Sequence, residues 1–185
     1  MRARIRDGDV LCFSGRTWLS RLIMRLSRGQ FSHSGLAFWW EDRLMVLQVE
    51  LFPGVQALPV SRAVGAYDGR VEWYSLKDEL RTKKTIDALR RVAQTRLGDR
   101  YSVLDLVLVG LHYAIGTPLP RARRTDHEFV CSQFVAHCYT FVGLDLEPAK
   151  PDIGTTPDDL ARSPHLVRQG VLRVPGASGR PTSPA

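Results

Sequence analysis

The sequence predicts an α+β fold in which an antiparallel sheet packs against helices that are grouped elsewhere in the chain. Two adjacent segments have the patterning of strands joined by a short polar turn, and other segments repeat apolar residues at helical spacing. Of the 185 residues, 44% are hydrophobic and 24% are charged, as in ordinary globular proteins. We therefore predict one domain over residues 1–172. The Pro-, Gly- and Ser-rich residues 173–185 are predicted to form a disordered tail.

The first predicted elements are a short strand over residues 9–13 and a helix over residues 17–28. One face of this helix is apolar and the opposite face is basic. The apolar residues are Trp18, Leu19, Leu22, Ile23 and Leu26, and the basic ones are Arg21, Arg25 and Arg28. Helices of this kind usually pack their apolar face on their own domain, although they also suit a membrane surface. The sequence is compatible with both alternatives.

A β-hairpin is predicted from two strand-like segments, residues 33–40 and 44–51, with a turn at residues 41–42. In the second segment apolar side chains recur at every other position, which indicates one buried strand face. A turn centred on residues 41–42 places His33 opposite Glu50, on the other face. Directly opposed side chains lie about 4.5–5.5 Å apart at Cβ, close enough to interact. A shift of one residue in the register would separate the pair.

Four more elements follow along the sequence. They are a strand over 71–74, a helix from 75 to about 97, an apolar helix over 103–115 and a helix over 128–142. Ser75, followed three residues later by Asp78, has the pattern of a helix start. The segment 103–115 is too short to span a bilayer, which takes about 20 residues, and we predict that it is a buried helix.

The net charge is +7, from 26 Lys and Arg against 19 Asp and Glu. The basic residues are scattered and are not interleaved with stacking aromatic residues, so no nucleic-acid partner is expected. Their excess fits an anionic surface or an anionic substrate, and peripheral contact with a membrane is one partner to consider. The N-terminus lacks the apolar stretch of a secretory signal, so the default expectation is a cytoplasmic location.

Three cysteines are too few for a disulfide scaffold, and their spacing does not match a structural metal site. Cys12 and Cys138 lie in apolar stretches of a predicted strand and a predicted helix, where a cysteine usually packs in the core. Cys131 lies in the first turn of the helix predicted over 128–142. Unpaired N–H groups and the helix dipole lower the pKa of a thiol at such a position. Cys131 is therefore the candidate nucleophile.

A nucleophilic cysteine needs a base, and the base needs a third group that orients it. His33 is the candidate base because it begins a predicted strand, whereas His112 and His137 lie within predicted helices. The predicted hairpin register makes Glu50 the candidate third residue. Gln48 lies on the same face of its strand, so the sequence leaves open which of the two residues takes that role.

Four short motifs resemble those of NlpC-type papain-like cysteine hydrolases. They are a Gly-Asp strand at 8–13 (GDVLCF), a histidine strand at 31–37 (FSHSGLA), a Gly-x-x-Tyr element at 98–101 (GDRY) and the start of the nucleophile helix at 130–135 (VCSQFV). Their order along the chain is similar to that of the circularly permuted YiiX and YaeF group. Residues 156–160 (TPDDL) also resemble the C-terminal region of that group. Gln133 departs from the pattern, because the common motif has glycine there.

The resemblance implies a papain-like, circularly permuted fold and an enzyme that transfers acyl groups through a covalent thioester. In that scheme Cys131 is the nucleophile, His33 is the general base and Glu50 orients the imidazole. The backbone N–H of Cys131 stabilises the oxyanion, with Tyr101 as its helper. No metal and no organic cofactor are expected.

The resemblance also implies a substrate class. Amide bonds in peptidoglycan-type peptides, or in γ-glutamyl linkages, are the first candidates and would make the protein a cysteine peptidase or amidase. Lipid acyl substrates are the alternative, because the permuted group is similar to lecithin–retinol acyltransferase-like enzymes. A further alternative is an inactive papain-like binding module, although the intact Cys, His and acidic residues argue against it.

Overall fold

The computed structural model describes residues 4–118 and 128–173, and it has the predicted α+β architecture. The strands are β1 Asp9–Gly15, β2 His33–Trp40, β3 Arg43–Glu50, β4 Gly54–Pro59, β5 Gly69–Leu76, β6 Arg100–Tyr101, β7 Glu128–Phe129 and β8 Leu166–Arg173. The helices are α1 Trp18–Ser27, α2 Val60–Gly65, α3 Lys83–Thr95, α4 Val103–Ile115, α5 Cys131–Phe141 and α6 Pro157–Arg162. The predicted tail lies outside the described residues, apart from Arg173 at the end of β8.

The centre of the fold is a six-stranded sheet with the order β4-β3-β2-β1-β5-β8, in which neighbouring strands are antiparallel. Because side chains alternate across a sheet, each face supports its own core. The core shared with α3 and α5 includes Leu36, Phe38, Leu89, Phe134 and Cys138. The core on the α2 side includes Phe13, Val46, Val60 and Trp73.

The predicted hairpin is confirmed together with its register. Strands β2 and β3 pair from Trp40–Arg43 to Gly35–Gln48, as a turn at residues 41–42 requires. The strand predicted over residues 9–13 is also confirmed, and β1 continues to Gly15. The register places the side chains at the end of β3 on the same sheet face as the beginning of β2.

Asp9 anchors the Gly-Asp strand to the rest of the sheet. It is fully buried, and its carboxylate accepts hydrogen bonds from Trp73 Nε1 at 2.6 Å and from Ser75 Oγ at 2.8 Å. It also forms an ion pair with Arg81. The Tyr139 hydroxyl donates a hydrogen bond to the backbone carbonyl of Gly8, the residue before Asp9. This bond connects α5 to the same turn. The first motif therefore has a structural role that joins β1, β5 and α5.

The helix predicted to begin at Ser75 begins at Lys83, so the predicted start was wrong. Ser75 lies in β5, between β1 and β8 in the sheet, and its hydroxyl donates to Asp9. The helix start is capped instead by the side chain of Thr82. The residues that this helix buries against the sheet core are Leu89, Val92 and Ala93.

Helix α4 has the predicted bounds, but the prediction that it is buried was wrong. Its apolar side chains are largely exposed, because α4 packs mainly on α1 and on the turn at Asp152–Gly154. The exposed ones are Val103, Leu104, Val107, Leu111 and Ile115. Helix α1 also leaves part of its apolar face exposed, namely Trp18, Leu19 and Leu22. Within the described residues, no helix is long and apolar enough to cross a membrane.

Candidate active site

Cys131 is the first residue of α5, within the helix start where the sequence places the candidate nucleophile. The helix begins three residues later than predicted, because residues 128–129 form β7. Its side chain is buried, and its Sγ accepts the backbone N–H groups of Ser34 and Ser132. Helix α5 packs across β2 and β3, which brings its N-terminus to the beginning of β2. The thiol therefore lies against the strand that carries His33.

Gln133 has a local function that glycine, found in the common motif, could not perform. Its Oε1 accepts the backbone N–H of Val130, the residue before the helix, at 3.2 Å. Helix starts leave several N–H groups without intrahelical partners, and a side-chain acceptor at the third position satisfies one of them. Gln133 therefore stabilises the turn that holds Cys131.

His33 is the first residue of β2, and its imidazole is hydrogen-bonded to Cys131. Its Nε2 lies 3.2 Å from Oε1 of Gln48, which leaves Nδ1 for the thiol. The ring of Phe13 packs beside the imidazole, with 5.3 Å between the ring centroids. Contacts from α5, β3 and β1 thus fix the orientation of the ring.

Two hydrogen bonds connect Glu50 to His33 through Gln48. Nε2 of Gln48 donates to a carboxylate oxygen of Glu50 at 2.6 Å. Because an ionised carboxylate only accepts, the amide oxygen of Gln48 must face His33. Nε2 of His33 is then the donor in their 3.2 Å contact and carries a proton. This arrangement leaves Nδ1 as the nitrogen that exchanges a proton with Cys131.

The predicted direct contact between His33 and Glu50 requires one correction, since Gln48 is the residue that touches the imidazole. The register itself is as predicted, but Gly35, opposite Gln48, has no side chain. A Cβ added to Gly35 would lie 3.1 Å from Cβ of Gln48. The same Cβ would lie 2.7 Å from Cγ2 of Val46, so this tightly packed position requires glycine. Glu50 holds the Gln48 amide from the side away from His33.

Burial disfavours the charged forms of both Cys131 and His33. Each of these two side chains favours the charged form of the other and so opposes that effect. Burial acts to raise the pKa of Cys131, but the neighbouring His33 and two backbone N–H groups outweigh it, so the pKa lies below its ordinary value. Burial acts to lower the pKa of His33, but Cys131 and the Gln48–Glu50 pair outweigh it, so that pKa is raised. The two shifts favour a thiolate beside an imidazolium ion.

Tyr101 reaches the site through the parallel pairing of β6 with β7. It pairs with Phe129, which lies two residues before Cys131. Burial, and then the negative charge of Cys131, raise the pKa of Tyr101, so its hydroxyl stays protonated. The structure thus places Tyr101 near the thiol of Cys131.

Asp158 supports the site and was not recognised from the sequence. It lies buried in α6, within the TPDDL segment. Its two carboxylate oxygens accept the backbone N–H groups of Gln30 at 2.7 Å and of Phe31 at 3.0 Å. These bonds hold the segment that leads into His33. The motif was the available signal, but it gave no indication of which backbone groups the carboxylate would bind.

Cys12 and Cys138 lie in the core, as predicted. Both are fully buried in the cluster between the sheet and α5. Burial raises the pKa of both thiols, so they stay protonated. Cys131 is distinguished from them because its pKa is lowered.

A cavity of about 220 Å³ opens beside the imidazole. Its walls combine apolar and polar side chains, which are Phe13, His33, Gln48, Glu50, Leu58, Arg62, Ala63, Ala66 and Tyr67. Sites for whole small molecules are typically about 300–1,000 Å³. The cavity is therefore of a size to receive one group of a substrate next to the candidate base.

No protein-family model and no curated protein matches the sequence. Among solved structures, the chain is similar to the crystal structure of the metalloprotein YiiX from Escherichia coli O157:H7. The alignment has a TM-score of 0.66 and covers 89% of this chain and 96% of that chain, with 14% sequence identity. This chain has the YiiX fold. The resemblance to the YiiX group is thus confirmed at the level of the fold.

The description of YiiX as a metalloprotein raises the question of a metal site in this chain. Within residues 4–118 and 128–173, no three His, Cys, Asp or Glu side chains come together in a way that could hold a metal ion. At the candidate site, Cys131 and His33 bond to each other, and the carboxylate of Glu50 is bonded to Gln48. These donors do not fit a metal centre.

Proposed function

We propose that this protein is a cysteine hydrolase that transfers an acyl group through a thioester on Cys131. The proposal is carried by the thiol at the start of α5, in contact with the imidazole of His33, whose Nε2 is held by Gln48. A nucleophile, a base and a group that orients the base are the set that covalent acyl transfer requires. We also propose that the YiiX-like fold is papain-like and circularly permuted, as the order of the motifs implies.

The proposed reaction starts from the thiolate–imidazolium pair. The sulfur of Cys131 attacks the substrate carbonyl carbon and forms a C–S bond, while an electron pair moves to the carbonyl oxygen. His33 gives the proton on Nδ1 to the leaving nitrogen or oxygen as the bond to the acyl carbon breaks. The neutral imidazole then takes a proton from water, which attacks the thioester and releases the acid. Cys131 leaves as a thiolate, and the pair is restored.

Tyr101 is proposed to bind the oxyanion together with the backbone N–H of Cys131. Loss of one oxyanion donor typically lowers kcat about 10²–10³-fold. Tyr101→Phe keeps the ring and removes the hydroxyl, so kcat should fall within that range while KM changes little. Steady-state kinetics measure both constants, with Tyr113→Phe as a control for loss of a tyrosine hydroxyl elsewhere. An unchanged kcat in Tyr101→Phe would remove the residue from the oxyanion site.

Gln48→Leu should lower kcat/KM roughly 10–150-fold, because a hydrogen bond to a charged group contributes about 1.5–3 kcal/mol and 1.36 kcal/mol is tenfold in rate. Gln48 raises the pKa of His33, so its loss should also move the alkaline limb of the pH–rate profile to lower pH. The control is Gln56→Leu, which changes the residue paired with Gln48 on β4. An alkaline limb that stays in place would contradict the role of Gln48.

Amide bonds in peptidoglycan-type peptides or γ-glutamyl compounds are the first proposed substrate class. The cavity beside His33 supports this class, since its walls combine apolar side chains with the charged Glu50 and Arg62. Such a lining suits a substrate group that carries both hydrocarbon and charge. Lipid acyl chains are the second candidate, and the exposed apolar side chains of α1 and α4 favour them.

Two sets of probes distinguish the substrate classes. Peptide anilides and γ-glutamyl anilides report amide cleavage, and vesicles of phosphatidylcholine with phosphatidylglycerol report release of fatty acid. The Cys131→Ala protein is assayed in parallel, and a thioester on the intact protein is sought by mass spectrometry with an activated p-nitrophenyl ester. Release that requires Cys131 would support the hydrolase and select the class. Absence of both release and thioester would overturn the proposal in favour of a binding module.

A further inference from the structure

Helices α1 and α4 expose a set of apolar side chains, here called the α1–α4 face. Its members are Trp18, Leu19, Leu22, Val103, Leu104, Val107, Leu111 and Ile115. Trp18 is 76% exposed, although tryptophan is normally among the largest contributors to a buried core. The two helices pack on each other, with Leu26 Cδ1 3.8 Å from the position of a Cβ added to Gly110. The exposed apolar side chains of α1 therefore lie next to those of α4.

The charged side chains of helix α1, which borders the α1–α4 face, are all basic. Arg21 and Arg25 follow Trp18 and Leu22 by three residues, so they lie beside these apolar side chains on the helix surface. Both arginines are exposed, and neither forms an ion pair with another residue in the described part of the chain. Helix α1 contains no acidic residue, and the carboxylate of α4, Asp105, is buried. The face is therefore apolar with a basic margin.

The α1–α4 face begins next to the candidate active site. Ser20 of α1 and Tyr67 both lie against Gly15, where an added Cβ would be 2.4 Å from Ser20 Oγ and 2.7 Å from Tyr67 Oη. Tyr67 also lines the cavity that contains His33. Helix α4 begins two residues after Tyr101. A surface that covered this face would therefore lie close to the site.

We propose that the α1–α4 face docks on the surface of an anionic lipid bilayer. The apolar side chains would enter the boundary between headgroups and acyl chains, and the arginines would meet the anionic headgroups. Trp18 suits this position, because tryptophan is enriched where apolar and aqueous regions meet. Docking is a binding property that does not depend on catalysis, and it would favour the lipid candidate for the proposed activity.

Charge complementarity favours a lipid surface over a second copy of the chain. A two-fold contact between two copies would bring the basic margins of both faces into one interface. With a net charge of +7, self-association through this face would be opposed by repulsion. Anionic headgroups instead neutralise the arginines, and the attraction weakens as salt is added.

The test is co-sedimentation of the full chain, carrying Cys131→Ala, with vesicles of phosphatidylcholine alone or with one third phosphatidylglycerol. We expect binding to the anionic vesicles that falls as salt rises, with a blue shift of Trp18 emission that Trp18→Phe removes. Trp18→Ser combined with Val107→Ser should weaken binding about tenfold or more. Val167→Ser, which removes an exposed apolar side chain from β8, should leave it unchanged.

A second pair of variants tests the basic margin. The double variant Arg21→Gln, Arg25→Gln should weaken binding to the anionic vesicles by about tenfold. The control Lys84→Gln, Arg91→Gln makes the same charge change on α3 and should have little effect. Equal effects of the two pairs, or binding insensitive to Trp18 and Val107, would overturn the proposal. So would a dimer in light scattering that the Trp18 and Val107 changes dissociate. Because Cys131→Ala is inactive under the proposed function, failure to bind is separate from failure to hydrolyse.

Discussion

Cys131→Ser should abolish turnover, with a loss of about 10³-fold or more. The thiolate forms because His33 and two backbone N–H groups lower the pKa of a buried thiol. A serine hydroxyl has a far higher pKa and would stay protonated. The imidazole of His33 is placed to pair with a nucleophile that is already ionised, as the Cys131 thiolate is. The measurement is single-turnover formation of the acyl-enzyme from a p-nitrophenyl ester, followed by mass spectrometry of the intact protein.

The control for this experiment is Cys138→Ala. That thiol is fully buried in the core, so its removal changes packing and leaves the residues of the site in place. Burial also raises its pKa, so Cys138 stays protonated and is not a nucleophile. The control protein should therefore form the acyl-enzyme at nearly the normal rate. Acylation of the Cys131→Ser protein at the normal rate would contradict the role of Cys131.

Asp9→Ala should lower the free energy of unfolding by roughly 3–5 kcal/mol, the usual result when one partner of a buried ion pair is removed. Asp9 is fully buried, and the Arg81 side chain is 11% exposed, so the guanidinium would lose its ion-pair partner in a largely dry region. Trp73 Nε1 and the Ser75 hydroxyl would also lose their acceptor. For a chain of this size the melting temperature should drop by roughly 10 °C.

Asp78→Ala is the matched control, because Asp78 also forms an ion pair with an arginine. Its side chain is 82% exposed, and its partner Arg6 is 47% exposed. Exposed ion pairs contribute about 0–1 kcal/mol, so the control should change the stability by no more than that. Urea denaturation of both variants measures the two free energies. Equal losses would show that Asp9 does not anchor β1.

The features predicted correctly from the sequence depend on short-range rules. The turn at residues 41–42 and the alternation of apolar residues determine the register of β2 and β3, and hence the common face of His33 and Glu50. The position of Cys131 follows from the helix start. In both cases the information lies within a few residues, so the pattern alone is sufficient.

The predictions that failed depend on what packs against an element. Ser75 and Asp78 have the spacing of a helix start, but pairing of β5 with β1 and β8 outweighs that local preference. The composition of α4 does not reveal that it packs on α1 rather than beneath the sheet. The contact of Gln48 with His33 depends on the length of one side chain and on the close packing around Gly35, neither of which the register specifies.

The most direct test of the account is the pH dependence of Cys131 alkylation by iodoacetamide, followed by peptide mass spectrometry. An ordinary thiol titrates near pH 8.5. The midpoint for Cys131 should lie below this value, because His33 and the backbone N–H groups of Ser34 and Ser132 together outweigh the effect of burial on the thiol pKa. In His33→Ala burial acts unopposed by the imidazole, so the midpoint should move upward, whereas His165→Ala should leave it in place. A midpoint at or above 8.5 in the unaltered protein, or one that His33→Ala does not move, would contradict the proposed nucleophile–base pair.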